Sequence, residues 1–137
     1  MSKHRSDENW KVHDFIIKRL KGWLENQGKY VVANPRQEKN PNASVKRSGT
    51  FVYPDLVVRP SEVGEITDLF EIETEDSIDS EETEQWRIYN AGVSRFYLVV
   101  PKRSIRKARD LIMEKSLSVA GIGFYDSSLN VYLPGGV

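Results

Sequence analysis

The stretch FEIETEDS, residues 70–77, sets four carboxylates among residues that otherwise have the look of a buried β-strand. Phe70 and Ile72 alternate with Glu71 and Glu73. Strand side chains change face at every step, so Glu71 and Glu73 point the same way, with their Cα atoms about 7 Å apart. One face is expected to be apolar and the other anionic. A solvated outer face produces the same alternation, so the rest of the chain has to separate the two readings.

Upstream, TFVYPDLVV (50–58) and EITDLFEIET (65–74) read as two strands joined by a turn over Pro60–Gly64. Pro54 cannot donate a ladder hydrogen bond, which predicts a kink just before Asp55. Further upstream, KYVVAN (29–34) is a short strand. The segment from Pro35 to Gly49, with its Pro, Asn, Ser and Gly, reads as a mobile polar loop. Before it, Trp10, His13, Ile17, Leu20, Trp23 and Leu24 form a helical stripe, opened by Ser6 or Asp7 as N-cap and closed by Gly28.

Downstream, residues 79–91 favour a helix capped by Asp79 or Ser80, with acids loading its first turn. RFYLVVP (95–101) is a continuous apolar run, the mark of a strand buried on both faces. Residues 104–116 give an amphipathic helix capped by Ser104, and SVAGIGFYD with NVYL close the chain as a hairpin around Asp126 and Ser127. The strand after the second helix must return parallel, and strands joined by tight turns pair antiparallel. The expected class is therefore α/β: a mixed central sheet flanked by helices, an αβββαβ core with a C-terminal helix and hairpin.

At 137 residues the chain has the size of one domain, expected to span 1–137. It contains no cysteine, which excludes disulfides and thiolate metal sites and suits a cytoplasmic protein. The N-terminus lacks a secretory apolar core and no long apolar run is present, so no membrane partner is expected. Net charge is zero, but the charge is segregated. Residues 62–84 hold eleven acids and no Lys or Arg, leaving 20 basic residues against 9 acids elsewhere. Basic groups gather in SKHR and KVHDFIIKRLK at the start, VKR in the middle and PKRSIRKARD late in the chain, a pattern that can place a positive rim around an anionic patch.

Adjacent pairing of the two central strands would bring Asp55, Glu71 and Glu73 onto one face. Partly buried, three such carboxylates repel one another unless a cation sits between them. Repulsion in the empty site would also make removal of Glu73 stabilising. Oxygen ligands without His or Cys favour Mg²⁺ or Mn²⁺. An ion of that kind polarises a phosphoryl oxygen and lowers the pKa of water, which points to phosphodiester hydrolysis.

YPDLVV followed by FEIET sixteen residues on from Asp55, set within helix, three strands, helix, strand, resembles the PD-(D/E)xK nuclease superfamily, the restriction-endonuclease-like fold. The resemblance covers roughly residues 7–100. It implies Asp55 and Glu71 as metal ligands, with the Ile72 carbonyl as a third oxygen. Glu73 stands where the family usually has lysine. Some active restriction endonucleases carry Glu there, as base or second ligand, so the departure leaves both an active nuclease and a nuclease-like module that binds nucleic acid or protein without cutting. In members with supporting groups on the helices, Asp14 of the first helix would be the added acid, and Gln85 in QWRIY would position water or phosphate.

The partner implied is DNA, with RNA as the alternative, and a homodimer would supply two centres for two strands. Lys46, Arg47, Lys102 and Arg103 are candidates for phosphate contacts, with Arg36, Lys39, Arg106 and Lys107 nearby in sequence. His13 lies on the apolar stripe, where a core histidine and a site histidine are both open readings. Trp86 and Tyr89 read as core anchors. An acidic docking surface for a basic protein over residues 62–84 is the remaining reading.

Overall fold

Side chains along the three central strands alternate between two opposite faces, both apolar, so one sheet is covered on both sides. The computed structural model describes residues 5–92, 94–135 and 137; Lys3 and His4 of the basic opening run lie outside the described residues. Helix α1 (Asp7–Glu25) is followed by β1 (Tyr30–Ala33), β2 (Val45–Arg47), β3 (Thr50–Val52), β4 (Leu56–Arg59) and β5 (Asp68–Ile72). Then come α2 (Glu82–Asn90), β6 (Arg95–Pro101), α3 (Ile105–Glu114), β7 (Gly121–Tyr125) and β8 (Val131–Tyr132).

Six strands form a mixed sheet in the order β1-β4-β5-β6-β7-β8. β1, β4 and β5 pair antiparallel, β5–β6 and β6–β7 pair parallel, and β8 returns antiparallel to β7. The α/β class and the parallel return after α2 agree with the expectation from sequence. Parallel neighbours require a crossover, and α2 and α3 supply the two that the sheet needs.

On one face Leu56, Val58, Phe70, Ile72 and Val99 pack with Ile16, Ile17, Leu20 and Leu24 of α1. On the other, Val57, Leu69, Leu98 and Val100 pack with Trp86 and Tyr89 of α2 and Ala108 and Ile112 of α3. β5 is buried over its whole length, as a central strand with helices on both sides must be. Glu71 lies on the face of α2 because it alternates with Phe70 and Ile72. Among the described residues no helix is long and apolar enough to cross a membrane.

Helix α1 starts as expected: Ser6 is its N-cap and its side chain accepts from the Asn9 N–H, satisfying one of the orphan donors of the first turn. Gly28, at φ 81°, closes it from the left-handed region that favours glycine. Two positions on the helix differ from expectation. Trp23 is 42% exposed, whereas Ile16, outside the expected stripe, is fully buried.

The largest difference is the segment expected as a mobile polar loop. It holds 3₁₀ turns at Pro35–Gln37 and Pro41–Ala43, followed by β2, which pairs with β3 in a separate two-stranded sheet. Ser48 and Gly49 turn that hairpin with positive φ at both positions, the geometry that matches strand twist in a two-residue loop. Buried Asn34 organises the excursion: its Nδ2 donates to the Ala43 and Pro54 carbonyls, and its Oδ1 accepts from the Asn40 N–H. The expected strand 50–58 is thus two strands, broken at Pro54 for the reason given by its missing N–H.

Other boundaries shift by a few residues. β5 begins at Asp68 and ends at Ile72, although the Glu73 N–H still donates to the Val99 carbonyl. α2 begins at Glu82 because residues 79–81 form a turn, in which Asp79 Oδ1 accepts from the Glu82 N–H. α3 begins at Ile105, and the Ser104 side chain makes no capping bond to it.

Candidate metal centre

The centre forms where β5 runs out beside the first turn of α2. Glu71, Glu73 and Glu82 each offer a carboxylate oxygen, and these oxygens all lie within 4.8 Å of one another. All three are buried, with relative exposures of 1%, 0% and 5%. A solvated acidic face is therefore ruled out for Glu71 and Glu73. Glu82 comes to the group because it shares the buried face of α2 with Trp86 and Tyr89, four and seven residues on.

Glu73 is held from several sides. Arg5 Nη2 donates to its Oε1 at 3.1 Å, the Ser77 hydroxyl to the same oxygen at 2.6 Å, and the Trp86 indole N–H to Oε2 at 2.8 Å. The Tyr125 hydroxyl donates to the Glu73 carbonyl at 2.8 Å. Burial pushes that phenol well above its usual range, with Glu73 adding to the effect against Arg5, so Tyr125 stays a donor across the physiological range.

Arg5 enters from the residue before the α1 N-cap. Its Nε donates to Thr74 Oγ1, and its Nη2 donates also to the Ile72 carbonyl and to Ser77 Oγ. The guanidinium lies 4.8 Å from the Trp10 ring centroid, within cation–π range. Asp76 secures the same junction by accepting from the Ser6 N–H and the Thr74 hydroxyl. Burial raises the Asp76 pKa, but hydrogen bonds from Asn9, Thr74 and the Ser6 backbone outweigh it and hold the carboxyl below its usual range.

Asp55 stands beside this group. Its N–H donates to Glu71 Oε1 at 3.1 Å, and its Oδ2 accepts from the Ile72 N–H at 2.7 Å. His13 Nε2 is 3.1 Å from the same Oδ2, although outside hydrogen-bond geometry, and His13 Nδ1 is 3.0 Å from Asp14 Oδ1. Asp14 Oδ1 also accepts from the Arg36 N–H. His13 is therefore a buried imidazole between two aspartates, as the core reading of its place on the stripe has it.

The structure thus gathers Asp55, Glu71, Ile72, Glu73, His13 and Asp14 around the end of β5. The three-carboxylate group itself differs from the expected Asp55–Glu71–Glu73 set: Glu82 takes the third place, and Asp55 turns its Oδ2 to the backbone of β5. Gln85 donates to the Tyr89 hydroxyl of its own helix. Lys46 is exposed, with its Nζ 5.8 Å from the Phe51 ring centroid. Arg47 donates to the Ile88 and Lys46 carbonyls. Lys102 is exposed, and Arg103 pairs with Glu75, two residues past Glu73, so the late basic run borders the loop that holds the site.

Glu82 and Arg5 were not singled out from the sequence. The signal for Glu82 was present, since an acid four residues before a buried tryptophan on a helix shares its face. For Arg5 there was none, because its partners lie 67 to 72 residues away.

Three carboxylates this close could hold a metal ion, with no sulfur or imidazole among the three donors. Comparison with protein-family models, curated proteins and solved structures gave no match for this chain.

Proposed function

We propose that this chain is a metal-dependent phosphodiesterase, a nuclease acting on DNA, that uses Mg²⁺ or Mn²⁺ held by Glu71, Glu73 and Glu82. The observation that carries the proposal is the approach of three buried carboxylate oxygens to within 4.8 Å. Buried like charges at that spacing are costly, and a shared divalent cation offsets the cost. When bound, such an ion supplies Lewis acidity toward a phosphoryl oxygen and lowers the pKa of a coordinated water.

The chain's own residues do the rest. Trp86 and Ser77 fix the Glu73 carboxylate, and Asp55 ties Glu71 to the β5 backbone through bonds in both directions. His13 backs Asp55 from α1. Lys102 and Arg103, beside the Glu73–Ser77 loop, would meet backbone phosphates.

Incubation with single-stranded and duplex DNA, in Mg²⁺ or Mn²⁺ and then with EDTA, is expected to give chelator-sensitive cleavage that Glu71→Gln and Glu82→Gln each abolish. Cleavage that persists in both variants would refute the assignment. In EDTA, Glu71→Gln should raise the melting temperature by about 3–5 °C, the effect of roughly 1 kcal/mol for a domain of this size, by relieving repulsion. The variant should also lose the stabilisation that Mn²⁺ confers on the wild type by mass action.

A second reading has its own support. Near-complete burial of Glu71 and Glu73 favours a nuclease-like module that binds nucleic acid or protein without cutting. It predicts a gel shift of DNA with no product at any metal concentration.

A further inference from the structure

Along α1, Phe15, Arg19 and Trp23 recur every four residues, one position ahead of the buried Ile16, Leu20 and Leu24, so they share the flank of the helix beside its core stripe. Phe15 and Trp23 are 44% and 42% exposed and Tyr132 of β8 is 48% exposed, three of the four exposed aromatic side chains among the described residues. Trp23 and Tyr132 line one groove of about 620 Å³ between α1 and the segment that follows β8. We infer that this groove binds single-stranded DNA, with Trp23 and Tyr132 as stacking platforms for bases and Arg19 as the contact for a backbone phosphate.

The chemistry of the groove selects that occupant. Arg19 is the only charged side chain lining it among the described residues, and its guanidinium lies 5.9 Å from the Phe15 ring centroid, within cation–π range. Lys18, next to it, is exposed, whereas Lys21 pairs with Glu25. The Tyr132 ring stacks on Phe124 at 5.0 Å between centroids, which fixes the ring and puts its exposure on the other face. Asp126 accepts from the Tyr132 hydroxyl, but the Ser128 and Asn130 N–H groups turn that carboxylate to its own loop. A cation beside flat aromatic faces suits a strand of unpaired bases, since every base presents a π-face and every nucleotide a phosphate. The side chains of Leu133 and Pro134 in the wall give a 2′-hydroxyl no partner, which favours deoxyribose over ribose.

The groove is separate from the carboxylate group, because α1 rises about 20 Å between Ser6, its cap beside Arg5, and Arg19. The test is titration with an oligodeoxyuridylate in EDTA, followed by tryptophan emission and by the anisotropy of a labelled oligomer. Trp10 and Trp86 are 7% and 0% exposed, so quenching by a stacked base reports Trp23. Wild type should bind and be quenched. Trp23→Phe should bind within about threefold of wild type without that quenching, and Trp23→Ala should bind about tenfold more weakly. Arg19→Ala should flatten the slope of log affinity against log salt by about 0.7, the share of one phosphate on a single strand, and Arg19→Lys should restore it. Met113→Ala, at an exposed position of α3, should change nothing.

Unquenched emission from wild type, or unchanged affinity in both Trp23→Ala and Arg19→Ala, would overturn the groove as a DNA site. So would equal affinity for oligouridylate, which differs only in its 2′-hydroxyls. Sedimentation of wild type as a dimer that Trp23→Ala dissociates would overturn it too, by assigning this face to a second copy of the chain. Every arm is run without metal, so failure of the carboxylate centre leaves the groove standing, and failure of the groove leaves the centre standing.

Discussion

Both ends of β5 carry an acid paired with an arginine from a distant part of the chain, and the two pairs could hardly be more different. At the start, Arg95 donates to Asp68 through two nitrogens, at 2.7 and 3.2 Å, with the arginine side chain 54% exposed. Just past the end, Arg5 meets Glu73 with both side chains wholly buried. The first pair is balanced, one charge against one, at the edge of solvent. The second sits beside two further buried carboxylates, Glu71 and Glu82, with oxygens of all three glutamates within 4.8 Å of one another. A balanced pair at the surface is a clamp of small worth. A buried pair costs several kcal/mol to break, because the partner left behind is uncompensated away from water.

Breaking the buried pair should give the largest effect. Arg5→Ala is expected to lower the metal-free unfolding free energy by about 3–5 kcal/mol, since it leaves Glu73 buried without its guanidinium. Urea denaturation in EDTA measures it, and a loss under 1 kcal/mol would remove the distinction between the two ends. Glu73→Ala should also destabilise, because it leaves Arg5 buried without its carboxylate. That reverses the stabilisation expected from acid repulsion alone, and the reversal is due to Arg5.

Trp86→Phe comes next, at about 2 kcal/mol, from the lost indole donor to Glu73 and the space left in a fully buried site. The same urea titration resolves it. Arg95→Ala sharpens the contrast from the other end, with an expected loss below about 1 kcal/mol that shrinks in high salt.

The smallest effect concerns Asp76, which anchors the Arg5–Ser6 junction. Its folded pKa lies below the ordinary 3.8, so its contribution is complete above that value and is lost as the pH falls through the folded value. The stability gap between wild type and Asp76→Asn should be present at about pH 6 and close toward about pH 2. A gap that widens on acidification would contradict the hydrogen bonds assigned to that carboxylate.

Much of the fold was legible because its signals are local. Alternation in DLFEI and the apolar runs LVV and RFYLVVP identified the central strands, the 3.6-residue stripe identified α1, and Ser6 and Gly28 marked its ends. Pro54 marked the break before Asp55. The excursion from Pro35 to Gly49 was not legible, since its order comes from Asn34 side-chain bonds that no periodicity records.

The same division runs through the site. By itself the sequence determined that Glu71 and Glu73 leave β5 on one side, with Asp55 at the end of the neighbouring strand, because strand period and pairing are fixed by backbone geometry. Only the tertiary structure decided that this side is buried, that Glu82 joins the carboxylate group, and that Arg5 pairs with Glu73. Burial and charge balance depend on which distant segments meet, and the chain separation of 68 residues between Arg5 and Glu73 leaves no local trace of that meeting.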